Sequence, residues 1–125
     1  PRRPKSHAKL TQIQKLILEK NQARGVNLLD RKNPNWRKSG HPETLNMSGS
    51  YDCILGQLYG CYTHGLNTLF PVRSFFFGFP QKTGFKYGFH IVNDLRSIAL
   101  MPNRTESFAY LTELWKAELP PPRVL

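Results

Sequence analysis

Acid is scarce at the front of this chain. Glu19 and Asp30 are the only carboxylates in the first forty residues, against eleven of the chain's eighteen Lys and Arg (Arg2, Arg3, Lys5, Lys9, Lys15, Lys20, Arg24, Arg31, Lys32, Arg37 and Lys38). That third carries +9 of the formal +10, while residues 41–125, with seven bases and six acids, read as a nearly neutral globular body. A charge so one-sided calls for a polyanionic partner. Long apolar runs are also absent: no segment resembles a signal peptide, and none approaches the ~20 apolar residues that span a bilayer. The expectation is an intracellular protein that makes no use of a membrane. Pro1 fits removal of an initiator Met, and Pro1 and Pro4 break the amphipathic helix that an Arg-rich mitochondrial targeting peptide needs. Cysteine is limited to Cys53 and Cys61. If both lie on one helix, as the pattern around them predicts, a rise of about 1.5 Å per residue holds them roughly 12 Å apart, too far for a disulfide. Two unpaired thiols favour a reducing compartment.

Chemical motifs are equally sparse. No CxxC or HxxxH pair occurs, and the metal-ligand candidates reduce to Cys61 with His64 at helical spacing, with Cys53, His41 and His90 as additions. A buried, hydrophobe-like Cys61 is the better reading. Nucleophilic catalysis would need Cys53 or Cys61 activated by His64 or His90 and oriented by Asp52 or Asp94; any chain with four His and eight acids offers such combinations by chance. The carboxylates are scattered, and no Gly-rich phosphate loop appears. These absences assign no catalytic residue, metal or cofactor, and point away from an enzyme.

What is present organises into a basic arm (1–10), one helical domain (11–119) and a Pro-rich tail (120–125). Outside the arm, roughly 100 residues suffice for one core. The fold class expected is mainly α, a small single domain of three to four helices with a short β-hairpin as an option. Thr11 and Gln14 form a capping box, so a first helix begins near residue 11. Its Ile13, Leu16, Ile17 and Leu18 give a narrow apolar stripe opposite Lys15, Lys20 and Arg24. A break or kink near Gly25 is preferred to continuation as far as Lys32, with Pro34 forbidding more. Trp36 then anchors a polar loop.

Ser50 caps a central helix over residues 51–69, with Asp52 in its first turn. Leu55, Leu58, Tyr59, Tyr62, Leu66 and Leu69 make one buried face of it, and Gly56 and Gly60 leave room for a close backbone. Residues 70–92 hold seven of the eight Phe. There Phe85, Tyr87, Phe89 and Ile91 alternate with Gly84, Lys86, Gly88 and His90, the period of a half-buried strand. A hairpin within 75–91, turning at Pro80 to Gly84, competes with an irregular loop leading to a short helix near Asn93 to Leu100. The mix of Arg73, Phe75 to Phe79, Lys82 and Lys86 suits base stacking, but a domain this small needs its Phe inside. Asn103 and Glu106 cap a last helix carrying Phe108, Leu111, Leu114 and Trp115, stopped by Pro120 to Pro122.

The runs GVNLLDRKNPNW, LNMSGSYDCILGQLYGCYTHGL, KYGF and YLTELWKAEL resemble a group of small, uncharacterised proteins of actinobacterial phages and their hosts; CILGQLYG followed by Gly65 and Leu66 is the most specific piece. The resemblance covers about residues 25–69 and 84–119, leaving the arm and FPVRSFFFGFP as departures. It implies a phage-linked origin and a compact helical domain, and carries over no activity.

The first functional expectation is therefore a non-enzymatic phage-type protein that binds nucleic acid or a nucleoprotein through Arg2, Arg3, Lys5, Lys9, Lys15, Lys20 and Arg24. Its folded anchor is a core of Trp36, Leu55, Leu58, Tyr59, Tyr62, Leu66, Phe108, Leu111 and Trp115. The rival expectations are a protein-binding inhibitor of a host factor, such as a defence nuclease or the transcription machinery, docking on an acidic surface, and a virion component. Either role places it in the cytoplasm of a bacterial host or on the particle.

Overall fold

Thr11 starts the longest element in the way its side chain predicts: Thr11 Oγ1 accepts from Gln14 N at 3.1 Å and Gln14 Oε1 accepts from Thr11 N at 2.9 Å, a complete capping box. The computed structural model describes residues 10–70, 80–91 and 103–121. Among them are six α-helices: α1 (Gln12–Lys32), α2 (Trp36–Ser39), α3 (Ile54–Tyr59), α4 (Tyr62–Leu69), α5 (Pro80–Lys86) and α6 (Arg104–Lys116), with a 3-10 turn at Pro42–Thr44. The architecture is mainly helical, and no strand occurs among the described residues. The arm through Lys9, the expected helix near Asn93 to Leu100, residues 75–79 of the expected hairpin and the tail from 122 lie outside them.

The expected three to four helices are exceeded by the six described, and four further sequence expectations are corrected. The first helix does not end at Gly25 but runs on to Lys32, where Asn33 caps it and Pro34 follows. Gly25 is buried there because α1 crosses the Tyr87 carbonyl and the Trp115 ring at this residue, leaving no room for a Cβ. Contact energy thus replaces the helix propensity that Gly lacks.

The apolar stripe at the start of α1 does not face inward as a unit either. Leu18 is fully buried and Ile17 packs on the core, whereas Ile13 is 68 % and Leu16 47 % exposed. Asn21, Gln22, Gly25, Leu28 and Leu29 complete the inner face instead.

The central helix is two helices. Cys53, not Ser50, caps α3, accepting from Gly56 N at 3.3 Å, and Cys61 caps α4, accepting from His64 N at 3.5 Å. Between them Gly60 has φ of 100° and meets nothing within 4 Å of a Cβ position, so its task is to turn the chain rather than to admit a neighbour. Gly56 is the close approach: a Cβ there would lie 2.5 Å from the Ser50 carbonyl oxygen. The break also removes the spacing that held the thiols apart on one helix; both are free.

Finally, residues 80–86 form α5 instead of a hairpin turn and strand. Gly84 and Gly88 are buried together with Phe89 and Ile91, so burial does not alternate between two faces. Phe89 N donates to Gly84 O at 2.7 Å and closes the end of this helix.

The core gathers Leu18, Leu28, Leu29, Trp36, Ile54, Leu55, Leu66, Phe89, Leu111 and Trp115, with Leu58, Tyr59 and Tyr62 half-buried against it. Trp115 stacks on Phe89 (5.5 Å between centroids), meets Trp36 edge to face (5.6 Å) and donates its indole N–H to Gly88 O at 2.7 Å. α6 starts at Arg104 as expected, although Asn103 makes no side-chain capping bond. Beyond it Leu119 packs on Gly40.

In an open helix position Gly→Ala stabilises by about 1 kcal/mol. Gly25→Ala is expected to do the reverse, losing roughly 1–3 kcal/mol through overpacking, as read from the urea midpoint. A raised midpoint would show that α1 does not make this crossing.

Candidate nucleic-acid interface

With one face of α1 fixed by Leu18, Leu28 and Leu29, the helical period fixes the other. Ile13, Leu16, Lys20, Arg24, Asn27 and Arg31 follow one another at spacings of three and four and are all exposed. At 1.5 Å per residue this face runs about 27 Å. Both acids of the helix are engaged beside it. Glu19 accepts from the Tyr110 hydroxyl, which raises the Tyr110 phenol above its ordinary range. Asp30 accepts from Trp36 Nε1 at 2.9 Å and from Arg37 Nη1 at 2.6 Å. These two bonds, that of Trp36 first, hold the Asp30 carboxyl below the usual carboxylate range. Arg37 is spent in turn: it also reaches Glu118 at 3.2 Å and lies over the Trp36 ring at 4.5 Å.

The bases divide accordingly. Among the described residues Lys20 and Arg31 enter no salt bridge or hydrogen bond through their side chains. Arg24 is positioned by bonds from Nη1 to Asn21 Oδ1 (2.5 Å) and Lys86 O (3.2 Å). Lys15 lies off this face, with its ammonium 5.8 Å from the centre of the Tyr110 ring. Lys32 donates to Leu69 O at 3.0 Å. Arg2, Arg3, Lys5 and Lys9 fall outside the described residues. Of the bases named from sequence, the structure thus brings Lys20 and Arg24 together and adds Arg31 and Asn27. The spacing from residue 20 to 31 signals all four once the helix is carried past Gly25.

The residues weighed for chemistry do other work. Cys53 is buried, which pushes its thiol up and keeps it from being an easy nucleophile. The described residues contain no group of three or more His, Cys, Asp or Glu placed to hold a metal. His90 sits between the Tyr62 ring (5.6 Å) and the Phe108 ring (5.4 Å); burial, and then the nearby Arg104 charge, lower its pKa to about 4. Burial likewise raises the Tyr62 phenol. No helix among the described residues is long and apolar enough to cross a membrane. No family model, no curated protein and no solved structure matches the chain.

Because the folded protein refuses the proton that the unfolded chain accepts at His90, stability falls as pH drops from about 6.5 toward 4. The stability difference between wild type and His90→Gln should shrink over that window by as much as about 3 kcal/mol, measured by urea denaturation at pH 7 and pH 4. A flat difference would place the imidazole in solvent.

Proposed function

We propose that this is a non-enzymatic, phage-type protein that binds nucleic acid or a nucleoprotein assembly through phosphate contacts from its basic arm and first helix. The observation that supports this reading is the outward face of α1. Lys20, Arg24 and Arg31 are exposed on it, while the two acids of the same helix are committed to Tyr110, Trp36 and Arg37. Phosphate neutralisation requires only clustered, accessible cations, and Arg2, Arg3, Lys5 and Lys9 extend the charge ahead of the helix. Contacts of this kind position a protein on a polyanion without reading its sequence. The partner expected on this reading lies in a bacterial cell or a virion.

One observation favours a second reading. Ile13 and Leu16 are exposed at the arm end of the same face, and a host protein with an acidic, partly apolar surface suits them better than phosphate does. An inhibitor of a host factor would use such a contact.

The reading is tested by fluorescence anisotropy with short duplexes across a salt series. Lys20→Ala with Arg31→Ala should flatten the slope of log affinity against log salt by about two units, and Ala at the four arm bases by about four. Unchanged slopes would remove these residues from the interface. Absence of binding at low salt would favour the host-protein reading.

A further inference from the structure

Asn27 is the odd residue on this face. It is exposed in the interior of α1, and its amide makes no hydrogen bond among the described residues. Asn is a poor helix former because its side chain competes with the backbone, so at this position it weakens the longest helix for no internal return. It lies three residues after Arg24 and four before Arg31, with Lys20 two turns back. The exposed residues between Lys20 and Asn27 are Ala23, whose methyl lets a surface approach the helix closely, and Arg24, whose guanidinium is held by Asn21 Oδ1 and the Lys86 carbonyl.

Resting on the nucleic-acid reading above, we propose that α1 lies in the major groove of B-form duplex DNA, with Asn27 contacting a base edge while Lys20 and Arg31 hold phosphates on either side. The fit is dimensional and chemical. A helix is about 10–12 Å across with its side chains, and the major groove is about 12 Å wide. The amide of Asn presents a donor and an acceptor side by side, the complement of N6 and N7 of adenine. Lys20 and Arg31 stand about 16 Å apart along the axis, bracketing Asn27 with charge of the sign that phosphate demands.

An acidic protein helix would also satisfy the charge but not the layout. Protein interfaces concentrate apolar and aromatic anchors at their centre. Here the centre is Lys20, Arg24 and Asn27, with Ala23 beside them, and Ile13 and Leu16 sit at one end. Duplex RNA is disfavoured by shape, because its major groove is too deep and narrow for side chains to read.

Two measurements on the intact chain decide it. In anisotropy with duplex DNA and duplex RNA of the same sequence at one salt concentration, the DNA should bind at least about tenfold more tightly. Selection from a pool of randomised duplex DNA should enrich an adenine-containing site. Asn27→Ala should abolish that enrichment, lowering affinity for the selected site roughly tenfold, while leaving the salt slope unchanged and the melting temperature equal or higher. The stabilised fold excludes unfolding as the cause of lost binding. Equal affinity for both duplexes, with a steep salt slope, would overturn the groove placement and leave the phosphate reading standing. A selected site that Asn27→Ala leaves intact would remove Asn27 from base contact. Binding to neither duplex at low salt would sink both.

Discussion

The Trp115 indole reaches three segments at once. It stacks on Phe89, meets the edge of Trp36 and donates to the Gly88 carbonyl, while Gly25 lets α1 lie against its ring. Truncating a buried ring of this size costs about 3–5 kcal/mol, a large part of the 5–15 kcal/mol that holds a domain folded. The more specific consequence is rotational. With Gly25 pressed on Trp115 and Tyr87, α1 cannot turn about its axis without driving a side chain into that contact. The direction in which Lys20, Asn27 and Arg31 point is therefore set by a residue some ninety positions away in sequence. Fold and candidate interface are two sides of one helix.

Local signals in the sequence were legible where the local energy is large and self-contained. The Thr11/Gln14 box follows from side chains acting within a few residues; the start of the last helix at Arg104 and the burial of Trp36 were also expected, although Asn103 forms no cap and Trp36 is covered by the distant Trp115. The misread elements are those decided by distant partners. Gly25 looks like a helix end until the Tyr87 carbonyl that needs its bare Cα is in view. Ile13 and Leu16 look like core beside Leu18, yet the helix turns Asn21 and Gln22 inward instead, with Gln22 Nε2 reaching Leu114 O at 3.5 Å. Alternation over Phe85 to Ile91 mimics a strand because tertiary packing buries two glycines among the aromatics. The helical spacing of Leu55 to Leu69 continues across a break because Gly60, between two capping cysteines, inserts a turn that costs the pattern little.

The CILGQLYG segment has a role in the fold. In CILGQLYG, Cys53 caps α3, Gly56 admits the Ser50 and Tyr51 backbone, and Gly60 supplies the positive φ. Gln57 ties the preceding loop to the helix: its Oε1 accepts from His41 N at 2.7 Å, and its Nε2 donates to His41 O at 3.1 Å and to Thr44 Oγ1 at 3.3 Å. Met47 N then donates to Thr112 Oγ1 at 2.9 Å, fastening the loop to α6. Cys53 and Gln57 thus both serve the fold, one capping α3 and the other holding the loop before it. The segment specifies a corner of the domain, and charge marks another part of the molecule.

A helix with two acids and a row of bases ordinarily neutralises part of itself through pairs at spacings of three and four. In α1 the acids are withdrawn from such pairing: Asp30 holds Trp36 and Arg37, and Glu19 takes the Tyr110 hydroxyl. These bonds fasten α1 to α2 and α6, and neither Lys20 nor Arg31 pairs with the acids they hold. Exposed like charges on one face repel over the roughly 8–10 Å of a physiological Debye length, a cost that a bound polyanion would relieve. Phosphate contacts alone would account for Lys20, Arg24 and Arg31, whereas an unbonded Asn in the middle of the row has a use only under the groove placement proposed above.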